Sequence, residues 1–173
     1  MGSIAKWAEK EGSEVFICSS DKDLCQLISD KIPIIHLHKD NLLIDEQKVK
    51  DQYGIEPSKI VDFLAITGDT SDNIPGLEGF GPKTASLLLN QYGSLEEILA
   101  NSSKIKGKKG EILIQQEEVA LMSKQLAKID IHIDIPTQPS FFQLKNPDVP
   151  RVKQFFQEMH FLSLLKELPL NTE

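Results

Sequence analysis

Residues 68–85 read GDTSDNIPGLEGFGPKTA, and this stretch decides how the rest of the 173-residue chain is interpreted. It carries two aspartates, Asp69 and Asp72, followed by a glycine-rich turn that opens into an apolar helix. Gly79 and Gly81 let a ligand approach the backbone closely. The first turn of the helix presents free N–H groups to an anion. We therefore predict an acidic loop joined to a phosphate-binding turn.

The glycine-rich turn differs from two well-known phosphate-binding loops. A dinucleotide-binding fingerprint needs a third glycine and a preceding strand, and a Walker loop needs four residues between its glycines before Gly-Lys-Ser/Thr. Neither pattern is present. Phe80 can anchor the turn in the core, and the arrangement resembles a helix-hairpin-helix, although a plain turn between helices stays open. The candidate DNA-binding residues of the turn are Gly79, Gly81, Lys83 and Thr84.

The net charge of −7 argues at first against a nucleic-acid partner, but the charge is unevenly distributed. Residues 82–109 carry five lysines against two glutamates, which is a local basic footprint. Lys106, Lys108 and Lys109 could extend the phosphate-binding surface or simply form a solvated loop. Because all basic residues but one are lysines, base readout by guanidinium groups is nearly absent. We expect any DNA binding to be phosphate-directed and independent of sequence.

A second acidic pair, Asp21 and Asp23, follows an apolar run that ends at Ser19. Open α/β sheets bind ligands outside the carboxyl ends of their parallel strands. Carboxylates there, together with Asp69 and Asp72, offer the oxygen ligands that Mg²⁺ prefers. Two such ions can stabilise the attacking and the leaving oxygen of a phosphoryl displacement. The alternative is that Asp23 only caps the following helix and that Asp69 or Asp72 only caps or turns the chain before Pro75.

The pattern of apolar residues predicts an α/β fold. It is the edge of a mainly parallel sheet with helices, followed by a mostly helical helix-hairpin-helix subdomain. We place the α/β part with the acidic residues at 1–72 and the helix-hairpin-helix subdomain with the C-terminal helices at 73–173. The predicted strands are 14–19, 32–37, 42–44 and 129–135. The predicted helices are 4–11, 23–29, 45–53, 57–67, 83–92, 94–100 and 111–129. A last helix opens at Asp148 or Pro150, runs toward Met159 and is continued by residues 162–168.

Composition narrows the cellular setting. Runs of roughly 18 uncharged apolar residues, as a membrane helix needs, are absent from the sequence. Residues 1–10 lack the pattern of a secretory signal. Cys18 and Cys25 do not make a disulfide framework and fit a reducing cytoplasm. We expect a cytoplasmic monomer with no membrane partner.

Three motifs in a fixed order resemble one family. They are SDKDLCQL at 20–27, LAITGDTSDNIPG at 64–76 and GFGPKTA at 79–85. Together they resemble the 5′-nuclease domain of bacterial DNA polymerase I, in the flap endonuclease superfamily, over about residues 4–168. The resemblance implies a Mg²⁺- or Mn²⁺-dependent 5′-3′ exonuclease that hydrolyses phosphodiesters at 5′ ends and flaps during DNA replication and repair.

The resemblance also implies roles and partners. Asp21, Asp23, Asp69 and Asp72 would act as metal ligands. Duplex DNA would lie on the glycine-rich turn, whose backbone carbonyls would also bind K⁺. The implied partners are DNA with a 5′ end or flap, and a polymerase domain of the same parent chain.

The departures from the family pattern also have consequences. The family's first metal-binding aspartate, its helical arch and an acidic cluster before the first helix have no counterpart here, so we expect the chain to be the C-terminal part of the nuclease domain. We expect this part alone to bind DNA weakly and to cut it poorly or not at all. The alternative is a non-catalytic, sequence-independent DNA-binding module, which would gain nothing from carboxylates near phosphate.

Overall fold

The structure of the protein is a computed structural model that describes residues 1–168. A small mixed sheet organises the first part of the chain. Strand β1 (Ile17–Cys18) runs parallel to β2 (Ile34–His36), which pairs antiparallel with β3 (Leu42–Ile44). Backbone hydrogen bonds on both sides of β1 extend its pairing, including one from the Ser19 amide to the Ile35 carbonyl at 3.1 Å. The predicted α/β sheet edge is confirmed, with β1 and β2 as its parallel pair.

Two of the three helices around the sheet begin at an aspartate whose carboxylate caps the helix. Helix α1 spans Gly2–Lys10, a 3₁₀ helix spans Lys22–Leu27, and α2 spans Glu46–Tyr53. The Asp45 carboxylate caps α2 by accepting from the Lys48 amide at 2.9 Å, and Gly54 ends the helix with a φ of 70°. The helix predicted for 23–29 is a 3₁₀ helix at Lys22–Leu27, whose N-cap is Asp21.

A closed loop leads out of helix α3 (Ile60–Thr67), which follows a short 3₁₀ turn at Pro57–Lys59. We call residues 68–77 the closed loop. Asp69 and Ile74 exchange two backbone hydrogen bonds of 2.9 and 2.8 Å. Gly68 and Gly76 lie so close that a Cβ on Gly76 would lie 2.3 Å from the Gly68 nitrogen. Only glycines allow this contact, and it fixes the loop that carries Asp69 and Asp72.

Helices dominate the chain after the closed loop. Helix α4 spans Pro82–Tyr92, α5 spans Leu95–Ala100, a 3₁₀ turn spans Ser102–Lys104, α6 spans Lys108–Gln115 and α7 spans Glu117–Ala127. The single helix predicted for 111–129 is therefore wrong, because the chain bends at Gln116. The Gln116 side chain accepts a hydrogen bond from the Glu78 amide at 3.1 Å, and α7 packs along α3. This tertiary contact overrides the helical periodicity.

Residues 129–135 do not form the predicted strand. Their backbone donors bond to side chains instead, from Ile129 to the Gln26 amide oxygen at 2.9 Å and from Ile133 to the Ser3 hydroxyl at 3.1 Å. Ile129 and Ile131 pack against the core beside Gly2. The alternation of apolar residues therefore reflects one-sided packing of an extended segment without a partner strand.

By its internal contacts the chain divides into two compact units, residues 1–135 and 136–173. The predicted boundary at 72/73 lies inside the first unit, and as a division of functions it stays a prediction. The second unit contains a 3₁₀ turn at Pro139–Phe141 and helices α8 (Val149–Glu158) and α9 (Leu162–Glu167). Their aromatic rings at 155, 156 and 161 cluster with centroids 6.1 to 6.2 Å apart.

One apolar core holds the first unit together. Its fully buried large side chains include Ile34 of β2, Ile66 of α3, Leu89 of α4 and Leu113 of α6. Phe80 is 4% exposed, so the glycine-rich turn is anchored in this core as predicted. Over residues 1–168, the structure contains no helix that is long and apolar enough to cross a membrane.

Replacing Gly76 with alanine should lower the free energy of unfolding by about 3 kcal/mol or more, because φ is 64° and the new Cβ would overlap the Gly68 backbone. Gly12→Ala is the matched control, since φ is 89° there but nothing lies within 4 Å of the added Cβ. We expect Gly12→Ala to cost about 1 kcal/mol. Urea unfolding measures both, and equal losses would contradict the steric argument.

Candidate metal centre and nucleic-acid interface

Three carboxylates from two separate loops converge in the first unit. Asp23 lies in the 3₁₀ helix after β1, and Asp69 and Asp72 lie in the closed loop after α3. One oxygen from each of the three lies within 4.8 Å of the others. We call these three residues the carboxylate cluster. Its position beyond the carboxyl end of β1 is where α/β proteins bind ligands.

The fourth predicted ligand, Asp21, lies beside the cluster rather than in it. Asp21 is exposed, and its carboxylate caps the 3₁₀ helix by accepting from the Asp23 amide at 3.0 Å. Its own amide donates to the Ser19 hydroxyl at 3.1 Å. Asp21 still acts electrostatically on Asp23. The structure therefore gives Asp21 a structural role that spacing did not reveal.

Asp69 is the most firmly held member of the cluster. It is 4% exposed, and its Oδ1 accepts from the Ser71 amide at 2.9 Å. Its Oδ2 lies 2.7 Å from the Lys22 ammonium. Hydrogen bonding to Lys22 lowers the pKa of Asp69, although burial opposes this effect. Asp69 is therefore a charged, oriented carboxylate.

Asp23 is in the opposite electrostatic situation. It is 9% exposed, and its buried Oδ1 has no hydrogen-bond partner among the described residues. Burial, the charge of Asp21 and a hydrogen bond to Asp72 together raise the pKa of Asp23 from 3.8 to about 6. A divalent cation would relieve both the repulsion and the unsatisfied oxygen. The all-oxygen ligand set fits Mg²⁺ or Mn²⁺.

The glycine-rich turn forms an open surface at the start of α4. Gly79 adopts a φ of 75°, whereas Gly81 is the N-cap of α4 with a φ of −90° that any residue can adopt. Nothing lies within 4 Å of a Cβ built on either glycine. Gly81 therefore has neither a steric nor a conformational reason within the molecule to be glycine. An approaching ligand backbone would provide such a reason.

Two lysines, Lys83 and Lys109, lie at this turn. Lys83 is exposed in the first turn of α4. Lys109 Nζ donates to the Thr84 hydroxyl at 2.8 Å and lies 5.8 Å from the centre of the Phe80 ring. Part of the lysine-rich segment that was predicted as a possible loop belongs to α6, which begins with Lys108 and Lys109. Lys106 precedes α6 and is exposed like these two.

A cavity of about 730 Å³ lies between the turn and the 3₁₀ helix of Asp23. Gly81 and Lys83 line it on the side of the turn, and Lys22 lines it on the other side. Phe63 and Phe80 contribute apolar wall. Lys22 was not among the predicted site residues, although its position between two candidate ligands was a signal that could have identified it.

The fold is that of flap endonucleases and 5′-exonucleases. The chain aligns with a bacteriophage T5 5′-exonuclease with a TM-score of 0.65 at 22% identity, covering 73% of this chain and 53% of that one. A T5 flap endonuclease in a pseudo-enzyme-product complex with DNA and metal ions gives 0.64 at 21% identity, over 73% and 48%. The catalytic core of Rad2 in complex with a DNA substrate gives 0.58 at 16% identity, over 91% and 55%.

Sequence comparison places the chain in one family. Residues 1–54 match the model of the 5′-3′ exonuclease N-terminal resolvase-like domain, and residues 55–150 match that of the 5′-3′ exonuclease C-terminal SAM fold. The chain therefore belongs to the 5′-3′ exonuclease family, as the resemblance of its motifs implied.

Two curated relatives show how much of a longer protein the chain matches. It is 41% identical to the thermostable DNA polymerase I of Thermus aquaticus over 98% of this chain. It is also 41% identical to the 5′-3′ exonuclease of Aquifex aeolicus over 95% of this chain. The chain spans 20% of the length of the polymerase and 57% of the length of the exonuclease.

In the metal-free protein we expect the Asp23 carboxyl to titrate at about pH 6, since burial and Asp21 favour its protonated form. Asp21→Asn should lower this pKa. Because a protonated carboxyl is a poor ligand, Mn²⁺ affinity should fall as the pH drops through 6. A ¹³C NMR titration of the aspartate carboxyls in EDTA tests this, and a midpoint near the ordinary 3.8 would contradict it.

Proposed function

We propose that this chain is part of a divalent-metal-dependent 5′-3′ exonuclease that hydrolyses DNA phosphodiesters. The observation that carries the proposal is the convergence of three carboxylates from two loops within 4.8 Å, in a protein of this family. A non-catalytic DNA-binding module would have no use for such a cluster, because carboxylates repel phosphate unless a cation lies between them.

The carboxylate cluster would hold Mg²⁺ or Mn²⁺, which when bound activates water and stabilises charge on the reacting phosphate. Asp69 would serve as a ligand in a fixed orientation, because the closed loop and the Ser71 amide hold its carboxylate. Asp23 would contribute its unpartnered Oδ1 once its proton has left. Asp72 would complete the cluster, and Asp21 would tune its charge from the side.

The glycine-rich turn would hold the DNA backbone. Gly79 and Gly81 leave its surface open to a phosphate, and Lys83 places an exposed cation at the start of α4. Thr84 and Lys109, already joined by a hydrogen bond, would extend these contacts toward Lys106 and Lys108. Contacts of this kind give affinity without sequence preference. We also propose that the backbone carbonyls of the turn bind K⁺.

For the parent protein, we propose action on 5′ ends and flaps in DNA replication and repair, beside a polymerase domain of the same chain. Relatives named DNA polymerase I and a T5 flap endonuclease bound to DNA and metal ions support this proposal. The two cysteines are free thiols, which fits a reducing cytoplasm. We propose that the protein acts there as a monomer.

We expect the isolated chain to cleave DNA poorly or not at all, since only three carboxylates converge among residues 1–168. Metal binding is therefore the more direct test. Mn²⁺ should broaden the amide NMR signals near residues 21–23 and 69–72, and Asp69→Asn should weaken Mn²⁺ binding by about tenfold or more, as expected for losing a charged ligand.

Asp134→Asn, which removes an exposed acid outside the cluster, is the matched control and should leave Mn²⁺ affinity unchanged. Equal affinities in the two variants would contradict the metal centre. Robust flap cleavage by the isolated chain that Asp69→Ala abolishes would support the metal centre, but it would contradict the expected weak activity.

Replacing Lys83 with alanine should weaken duplex binding equally for all sequences and reduce the salt slope by about 1, because one phosphate contact is lost. Lys10→Ala removes an exposed lysine from α1 and should have little effect. Fluorescence anisotropy at several salt concentrations measures both. A sequence-selective loss in Lys83→Ala would contradict phosphate recognition.

Gly81→Ala separates the turn's binding role from its structural role. Its methyl group would enter empty space at an ordinary φ, so the variant should be at least as stable as the parent. If DNA lies against the turn, the same methyl group should weaken binding. Unchanged DNA affinity in Gly81→Ala would place the DNA elsewhere.

A further inference from the structure

The side chain of Lys22 extends into the carboxylate cluster. Its ammonium lies 2.7 Å from Asp69 Oδ2 and is further stabilised by the negative charges of Asp23 and Asp72. Lys22 therefore interacts with all three members of the cluster. It belongs to the same 3₁₀ helix as Asp23 and reaches Asp69 in the closed loop, so it links the two loops that form the cluster.

The Lys22–Asp69 ion pair differs from the two ion pairs that Lys124 makes elsewhere in the first unit. Lys124 lies 2.6 Å from Asp62 and 2.7 Å from Glu96, and it joins α7 to α3 and α5. The Lys124 side chain is 26% exposed, whereas the Lys22 side chain is 47% exposed although the Asp69 carboxylate is only 2% exposed. Lys22 thus reaches a buried acid from a solvated position, and its ammonium can leave without opening the core.

One ammonium does not satisfy the cluster. Asp23 Oδ1 stays buried without a hydrogen-bond partner while Lys22 is in place. Three carboxyl groups share a single lysine charge, and Asp21 adds a fourth negative charge that acts on Asp23. A divalent cation carries twice that charge and accepts several oxygen ligands at once. It would therefore neutralise the cluster better than Lys22 does.

We propose that the Lys22 ammonium is a displaceable internal counter-ion of the carboxylate cluster, which a divalent metal must replace in order to bind. The inference rests on the proposed metal-dependent function. Lys22 already occupies the Asp69 carboxylate, which the metal would share with Asp23 and Asp72, so metal binding would be an exchange rather than a simple addition. Lys22 stabilises the cluster without metal and lowers its affinity for metal.

The test measures Mn²⁺ binding by calorimetry to the whole chain and to Lys22→Met. Without its internal competitor, Lys22→Met should bind Mn²⁺ about tenfold more tightly, the factor that corresponds to one charge-assisted hydrogen bond. Lys39→Met is the matched control, because exposed Lys39 lines the neighbouring cavity with Lys22 and Asp21. The control should change affinity by less than about twofold, the effect expected for losing a nearby solvated charge.

Thermal unfolding gives a second readout. In EDTA, Lys22→Met should have a lower Tm than the parent chain, because its carboxylates repel one another without a counter-ion. Saturating Mn²⁺ should raise its Tm more than it raises that of the parent. ¹⁵N NMR of the unmodified chain adds a measurement that needs no variant, since Mg²⁺ should release the Lys22 ammonium and abolish its protection from exchange.

The possible outcomes separate this inference from the proposed function. If neither the parent chain nor Lys22→Met binds Mn²⁺, the metal centre itself is wrong and the counter-ion role falls with it. If the parent binds Mn²⁺ but Lys22→Met binds no more tightly than Lys39→Met, only the counter-ion role is wrong. A Lys22 ammonium signal that Mg²⁺ leaves unchanged also overturns it, even where Lys22→Met fails to fold.

Discussion

The candidate site depends on a backbone contact between Gly68 and Gly76. No side chain fits between these residues, and their approach turns the chain back on itself directly after α3. The closed loop holds the Asp69 carboxylate in a buried position and returns the chain to the core at Leu77. The glycine-rich turn starts from that point. One steric constraint therefore positions both the acidic residues and the glycine-rich turn.

Two electrostatic effects in the 3₁₀ helix reduce the cost of gathering the charges of the cluster. Gathering like charges in a partly buried site destabilises the folded state. Here the cost is reduced in two ways, because Asp69 stays ionised against Lys22 while Asp23 is largely neutral below about pH 6. The backbone of the closed loop holds Asp69 and Asp72 close to Asp23, although the repulsion between their charges favours separation. The proposed cation site would thus be preorganised at the expense of stability.

Much of the fold could be predicted because its signals are local. The Asp45 cap with its closing glycine, the strand at 42–44 and the Ser94 cap of α5 all depend on neighbouring residues, and all are present. The break at Gln116 could not be predicted, because it depends on a distant contact with Glu78. The predicted strand at 129–135 was wrong for a related reason, since alternation shows one-sided burial but not whether a partner strand exists.

In the candidate site, too, local features could be predicted and contacts between distant residues could not. Spacing selected four aspartates as candidate ligands, but it could not show that Asp21 serves as a helix cap or that Lys22 reaches across to Asp69. Both facts depend on how two loops meet in space. Gly81 could be selected from the sequence, but only the structure shows that no contact within the chain requires glycine there, which supports the proposed contact with a ligand.

The charge distribution links the two halves of the proposed site. A chain with a net charge of −7 repels DNA at long range, and the carboxylate cluster adds to that repulsion near the cavity that Lys83 and Lys22 share. Divalent cations in the cluster would reverse the local sign at the point where a phosphate has to approach. If the ammonium of Lys22 is displaced by the metal, it also becomes free to face that phosphate. Metal and DNA would then favour each other's binding through charge alone, without a change in the backbone.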